Sequence, residues 1–394
     1  MNTSDPIDRL RAAIQVERLL DTAVRLIEVP SPTRSAGVVA DTLAEILRQD
    51  GFAVERPEAG WPEAPAVVGR WDTGREGRTL QFDGHLDTVH LPFVPPRIEN
   101  ARLYGSGASD MKGGVAAMVE AARALRESDT LPGGSILITA HDLHEAPLGV
   151  GEPVYKLIDE GFVGDGVLLP EYLCDRLPVI GRGQAVVEVT IRREGEPVHE
   201  VLGGIEEPSV IYAGAELVKR FQGLDQALSS QTHALAGRAS MFVGQNVSGE
   251  IYNQAPTECR ISGSRRWLPG TSPVDVEREY RGLLAEVAVT SGTQIDGDFK
   301  VTRDAFEISP DSPLVNAFQA SCETVLGQRL PAAAKPFVDD GNIFVSHGGV
   351  PAITHGPDAR GAHTVHEEVP VAELERVALV YGLTAIRFCG ESVS

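Results

Sequence analysis

The chain has 394 residues, 42% of them hydrophobic, with 56 acidic against 35 basic side chains for a formal charge of −21. A single core stops growing below that length, so two domains are expected, and acidity spread without a Lys/Arg cluster excludes nucleic acid as a natural partner. No apolar run could span a bilayer, and residues 1–10 lack the basic start and apolar stretch of a signal peptide, so no membrane partner and a cytoplasmic location are expected. Cys174, Cys259, Cys322 and Cys389 form no close pair and no finger-like spacing, which predicts reduced, buried thiols.

In chain order, residues 10–29 read as a helix that Pro30-Ser31-Pro32 breaks, and residues 79–84 as a strand. Residues 112–126 have the spacing of an amphipathic helix, with Val115, Met118, Ala122 and Leu125 on one face. A strand at 135–141, a short helix at 155–160 and a strand at 166–169 follow. This alternation predicts an α/β domain, a mixed sheet flanked by helices. From residue 184 the character changes: 187–191 alternates strictly, 210–222 is an amphipathic helix, 258–267 a strand and 274–289 a second helix. That is a smaller two-layer α+β unit. The α/β pattern resumes with a helix at 371–388, so the first domain is discontinuous, with 1–182 and 298–394 flanking an insert at 183–297.

Five residues of metal-ligand type stand in contexts that suit a site: His85, Asp110, Glu145, Glu171 and His363. His85 opens GHLDTV (84–89) directly after a strand. Asp110 lies in GSGASDMKGG (105–114), where small residues let the backbone approach an ion. His363 lies in GPDARGAHTVHEEV (356–369). Imidazole and carboxylate together suit Zn, Mn or Co, whereas oxygen alone would suggest Mg or Ca and thiolate a structural Zn. A carboxylate such as Asp110 can bridge two ions, leaving a shared water whose pKa falls towards roughly 7. Asp87, on the same strand face as His85, is placed to hold that ring's other nitrogen.

These motifs, in this order, resemble the co-catalytic metallopeptidases that include aminoacylase, acetylornithine deacetylase, succinyl-diaminopimelate desuccinylase and glutamate carboxypeptidase, over residues 19–389. The resemblance implies His85, Asp110 and Glu171 on one metal and Asp110, Glu145 and His363 on the other. Glu171 rests on LLPEY (168–172) matching the family's strand ending in Gly-Glu-Pro, with Glu152 or Glu160 as the alternative. The resemblance also implies a cis bond after Asp110 and an inserted lid and dimerisation domain, hence a homodimer.

The chain departs from the family at position 144. Two adjacent acidic residues are usual there, the first a general base and the second a ligand, but this chain reads HDLHEA (141–146). With Glu145 as ligand the base position holds His144; sliding by one makes Glu145 the base and leaves Ala146, which binds no metal. A histidine that takes a proton becomes a cation beside two dications, which like charge disfavours. The readings open for His144 are a neutral base, an added ligand or a donor to substrate, with Asp142 or His141 moving protons, or an ordinary histidine satisfied by local hydrogen bonds. By the same resemblance Arg266 grips a substrate carboxylate, His199 reaches the neighbouring subunit's oxyanion, and Asn253 and Gly356 line the pocket. Asp358 stands where a glycine is usual. His90, His233, His347, His355 and His366 are read as structural.

The expected function is hydrolysis of a C–N bond in a small N-acyl amino acid, dipeptide or related amide by metal-bound hydroxide, with one or two ions, zinc first. The alternatives are a deaminase on a one-metal variant of the site, or a catalytically silent metal-binding dimer.

Overall fold

The computed structural model describes residues 5–146 and 148–390. The chain divides into two compact units: a smaller one of Ile180–Glu307 with Ala334–Val338, and a larger one comprising the remaining described residues. The insert expected at 183–297 ends inside a strand, Gln294–Arg303, which pairs with Gly183–Arg192 along its length. Among the described residues no helix is long and apolar enough to cross a membrane.

The larger unit is built on a six-stranded mixed sheet. Its strand order is Ala53–Glu55, Val67–Asp72, Ser135–His141, Thr79–His85, Gly166–Leu169, Ala352–Thr354. The four strands from Ser135–His141 to Ala352–Thr354 run parallel, and Val67–Asp72 is antiparallel to both its neighbours. Leu80, Phe82, Ile136, Ile138, Val167 and Leu168 are buried, as strands covered on both faces require. From Thr79–His85 the chain crosses through the helix Lys112–Ser128 to a strand on one side, then through Glu152–Asp159 to a strand on the other. The strand order therefore reverses around Thr79–His85, and in such sheets the crevice beyond the strands' carboxyl ends is where ligands bind.

Two helices differ from the sequence reading. The helix expected over 10–29 is two, Pro6–Ala13 and Val16–Ile27. Between them the Gln15 amide donates to the Glu120 carboxylate at 2.7 Å, so a long-range acceptor replaces the intrahelical one. The helix Lys112–Ser128 is not amphipathic in its setting: every residue from Lys112 to Leu125 is buried, Glu120 and Arg123 included. Glu120 accepts from Arg18 Nη2 at 2.8 Å and Nε at 2.9 Å, while Arg123 reaches Asp50 at 2.6 Å and Thr22 at 2.8 Å. Helices Pro6–Ala13, Val16–Ile27 and Val371–Cys389 pack on it, so its polar stripe meets protein rather than water. Of the cysteines, Cys259, Cys322 and Cys389 are free and buried, but Cys174 is free and only partly buried.

The smaller unit is a four-stranded antiparallel sheet, in the order Ser240–Ser248, Glu258–Trp267, Gly183–Arg192, Gln294–Arg303. The helices Val210–Leu228 and Pro273–Ser291 cover one face, closing a core of Val187, Val189, Ile191, Leu217, Phe221 and Tyr280. Ser209 caps the first helix by accepting from the Tyr212 amide, and Gly292 ends the second in the left-handed region.

Removing the shared anion at the helix junction tests this packing. Glu120→Ala leaves Arg18 without its buried partner and the Gln15 amide without an acceptor, so it is expected to destabilise the larger unit by about 3–5 kcal/mol. Chemical denaturation followed by circular dichroism would measure it, and a change below about 1 kcal/mol would show that water replaces the carboxylate there.

Candidate metal centre

The sheet delivers its ligand-type residues at strand ends. His85 is the last residue of Thr79–His85, Glu171 follows Gly166–Leu169, and His144 and Glu145 follow Ser135–His141. Asp110 closes the glycine-rich turn before the helix Lys112–Ser128, and its bond to Met111 is cis. His363 comes from a loop at the other end of the chain. A three-stranded sheet brings the two loops together: Glu368 pairs with Tyr104, so Glu367 stands beside the turn that Tyr104 leads into. The Glu367 carboxylate there accepts from the amides of Gly107 (3.0 Å), Ser109 (3.1 Å) and Asp110 (3.1 Å) and from Ser109 Oγ (3.0 Å). Close backbone approach completes the frame. A Cβ at Gly114 would lie 2.3 Å from the Pro170 carbonyl, so only glycine lets this helix start against the segment that delivers Glu171.

The side chains converge on Asp110. Its Oδ1 lies 3.1 Å from His85 Nε2 and its Oδ2 3.2 Å from His363 Nε2. Glu171 lies 3.7 Å from His85 Nε2, and Glu145 3.2 Å from His363 Nε2. The two histidines thus stand on opposite sides of one carboxylate, each with a second carboxylate of its own. His85, Asp110, Glu145 and Glu171 are buried, while His363 is half exposed and held at φ +60°, in the left-handed region. Glu152 starts a helix, accepting from the Val150 amide, and Glu160 is exposed; neither joins the cluster.

Charge tests whether this set fits cations. Among the described residues no lysine or arginine pairs with Asp110, Glu145 or Glu171; their ionic contacts are all to histidine. Burial, then the Asp110 charge, pushes the Glu171 carboxyl well above its ordinary range. Burial would lower the His85 pKa, but the Asp110 hydrogen bond and the Glu171, Asp110 and Asp87 charges override it and raise it well above normal. Hydrogen bonds to Asp110 and Glu145 raise His363 to about 10. The cluster therefore carries surplus negative charge that recruits protons, and divalent cations suit the same place. Lys112, next along the motif, does not relieve it: its ammonium donates to the Val29 carbonyl at 2.9 Å, and burial lowers its pKa to about 7.

The residues around the cluster take partly unexpected roles. Asp87 meets His85 Nδ1 through its backbone carbonyl at 2.9 Å, its carboxylate standing 3.6 Å away. That carboxylate instead accepts the amides of His144 (3.2 Å) and Glu145 (3.0 Å), fixing the segment that carries both. Asp142, considered as a proton carrier, has its carboxylate bonded to the Arg34, Ala36 and Leu143 amides, and His141 lies between Asp83 and Asp340. His144 stacks on His85 at 4.0 Å, with Nε2 3.6 Å from Glu171 and Nδ1 2.6 Å from Asp340. His85, His144 and Glu171 could also group around one ion. Sequence reasoning missed Asp340 and Glu367; the second lies inside a quoted motif, and the first had no local signal beyond the run Asp339-Asp340-Gly341.

The predicted substrate contacts divide between the units. Gly356, in the larger unit, presses against the Pro170 and Glu171 carbonyls, where a Cβ would clash at 2.5 and 2.2 Å. In the smaller unit, Asn253 Nδ2 lies 2.8 Å from His199 Nε2, and the Val201 amide donates to His199 Nδ1. Since Nδ1 then needs its lone pair, the ring proton sits on Nε2 and the Asn253 amide turns its oxygen to it. Arg265 is buried and pairs with Glu279, but no carboxylate pairs with Arg266 among the described residues. Of the remaining histidines, His90 bonds the Thr33 carbonyl, His233 receives the Leu235 and Ala236 amides, and His347 pairs with Asp159.

Comparison with known proteins agrees with this architecture. The model of peptidase family M20/M25/M40 matches residues 82–387, and the chain belongs to that family. It is accordingly a metal-dependent hydrolase of amide bonds. Among its relatives is a succinyl-diaminopimelate desuccinylase of Methylobacterium radiotolerans, 29% identical over 392 residues, which covers 92% of this chain and 95% of the relative. A desuccinylase of Dinoroseobacter shibae is 26% identical, covering 90% and 95%. A tripeptidase from Staphylococcus aureus shares the fold with a TM-score of 0.77 at 21% identity, covering 95% of this chain and 98% of the other. A dinuclear metal-binding peptidase from Bacillus subtilis gives 0.67 at 14%, covering 94% and 97%.

His355 offers a pH test beside the site. Its buried Nε2 accepts from Arg376 at 2.8 Å, so the ring must be neutral, and burial followed by the Arg376 charge lowers its pKa well below normal. The unfolded chain takes up a proton near pH 6.5 that the folded chain refuses, so this group makes stability fall as pH drops below about 6.5. His355→Gln keeps an acceptor without the titration. The wild type should lose up to about 1.4 kcal/mol per pH unit more than the variant in that range, read by denaturation at a series of pH values. Parallel curves would place the proton elsewhere.

Proposed function

We propose that the protein is a two-metal amidohydrolase that cleaves a small N-acyl amino acid or dipeptide, with His85, Asp110 and Glu171 holding one ion and Asp110, Glu145 and His363 the other. The observation that carries this reading is Asp110, whose two oxygens face His85 and His363 at 3.1 and 3.2 Å. Two divalent ions, zinc first with manganese or cobalt as alternatives, would polarise the scissile carbonyl and make water reactive near neutral pH. His144 takes the water's proton and returns it to the leaving amine. His199 of the neighbouring copy gives up its Asn253 partner and donates its Nε2 proton to the oxyanion instead, while Gly356 keeps the pocket wall flat.

The free guanidinium of Arg266 supports a substrate bearing a carboxylate, since burial and the nearby Arg182 charge both weigh on an arginine without a counter-ion. The relatives' names, a desuccinylase and a tripeptidase, suit a small acylated amino acid or short peptide. A homodimer in the cytoplasm completes the reading. The edge strand Ser240–Ser248 exposes Phe242 and Val247, and Ile205, Tyr212 and Tyr252 of the same unit are exposed apolar groups, an edge that pairing would protect. A single-chain mass by sedimentation at micromolar concentration would remove the dimer.

Hydrolysis of a panel of N-acyl amino acids should release a carboxylic acid and an amine, stop with a chelator and return with zinc. Asp110→Ala should lose both ions by elemental analysis. Arg266→Ala should weaken kcat/KM about 10- to 100-fold for substrates with a free carboxylate and leave their amides unaffected. Release of ammonia instead would make the protein a deaminase, and turnover without metal would end the proposal.

His144→Ala should lower kcat by roughly 10²–10⁴-fold, the usual size of general-base catalysis, with both ions retained. Loss of one ion with the activity would make His144 a ligand.

A further inference from the structure

His144 does not stand alone. Its Nδ1 lies 2.6 Å from Asp340 Oδ2, the shortest contact either nitrogen makes, and Asp340 is buried. The same oxygen lies 3.5 Å from His141 Nε2, which is 3.5 Å from Asp83 Oδ2, and Thr139 Oγ1 donates to Asp83 at 2.5 Å. The carboxylate is thus embedded in a buried polar chain behind the metal cluster. At that distance the carboxylate oxygen serves as acceptor for the ring, which puts the imidazole proton on Nδ1. That leaves a lone pair on Nε2, the nitrogen on the Glu171 side. Two other restraints fix the ring: it stacks within 7° on His85, and the His144 amide is held by Asp87.

We propose that Asp340 is a positioning residue for His144, so that the two work as a dyad. Asp340 selects the Nδ1–H tautomer, fixes the ring plane and balances the cation that forms in the reaction. The inference rests on the hydrolase reading above and supplies what a lone histidine lacks there, since a proton taken up beside two dications is disfavoured unless an anion is already in place. In the reaction, the Nε2 lone pair accepts one proton of water as the water oxygen bonds to the scissile carbonyl carbon. The C–N bond then breaks, and the same proton passes from Nε2 to the departing nitrogen, so histidine and carboxylate end as they began. Asp340 exchanges no proton with substrate. The geometry is that of a carboxylate that orients a histidine base in acyl transfer, here with water as nucleophile.

The test uses the full chain loaded with zinc and labelled with ¹⁵N-histidine, with His144→Gln to assign the signal. Long-range ¹H–¹⁵N spectra should show His144 protonated at Nδ1 and bare at Nε2, with and without the ions; a proton on Nε2 in the wild type overturns the proposal without any variant at 340. Asp340→Asn offers Nδ1 an amide donor, so the His144 proton should move to Nε2. Its kcat should fall about 10²–10⁴-fold while KM stays within about threefold and both ions remain. Asp340→Glu should recover part of the rate. Added to His144→Ala, Asp340→Asn should cost nothing further. An equal loss in that background, or a near-normal kcat in Asp340→Asn, assigns Asp340 no part in positioning the ring. If Asp340→Asn does not fold, Asp340→Glu and the wild-type spectrum decide. A wild type that hydrolyses no amide sinks the hydrolase reading, while the spectrum still reports on the pair.

Discussion

The larger unit is organised around a surplus of negative charge placed where a sheet cannot easily tolerate it. Asp110, Glu145 and Glu171 meet near the carboxyl ends of parallel strands, and among the described residues their ionic partners are all histidines. Buried carboxylates repel one another unless something positive shares their space. The frame responds by spending other anions on the backbone: Glu367 gathers the amides leading to Asp110, Asp87 those of His144 and Glu145, and Asp142 those of Arg34, Ala36 and Leu143. Each of these carboxylates fixes a loop by accepting hydrogen bonds. The three at the centre are left free to meet cations.

A second layer of polar groups lies behind the first. Asp83, His141 and Asp340 are buried in line with His144, and His141 is raised to about 9 because the Asp83 and Asp340 charges outweigh its burial. Polar chains of this kind hold side chains in one arrangement when every member is satisfied. The smaller unit has no comparable layer among its described core residues. It rests on an apolar two-layer packing of sheet and helices, and its functional candidates, His199, Asn253 and Arg266, lie outside that packing.

Much of the fold could be read locally. The strands at 135–141, 166–169 and 258–267 appear at those positions, because buried runs bounded by glycine, proline or polar residues signal strands. The helix Lys112–Ser128 was legible as a helix but not as one buried on every side from Lys112 to Leu125. Its period of apolar residues marks one face, whereas Glu120 and Arg123 are inside only because Arg18, Asp50 and Thr22 arrive from elsewhere in the chain. For the same reason the break at Gln15 was invisible, since the carboxylate that causes it is Glu120.

The sequence by itself determined the residue types and their order: an imidazole after a strand, a carboxylate in a glycine-rich turn, a histidine beside a carboxylate at 144 and 145, and a distant histidine at 363. Such types follow from the chemistry of divalent ions, which is a property of side chains and needs no neighbours to be recognised. Which carboxylate faces which ring was decided by the tertiary structure. The pairing of Glu368 with Tyr104 sets Glu367 beside the Asp110 turn, and Asp340 reaches His144 from a segment with no motif of its own. Those contacts join residues far apart in the chain, and pattern within a sequence carries no information about which distant partner a fold will supply.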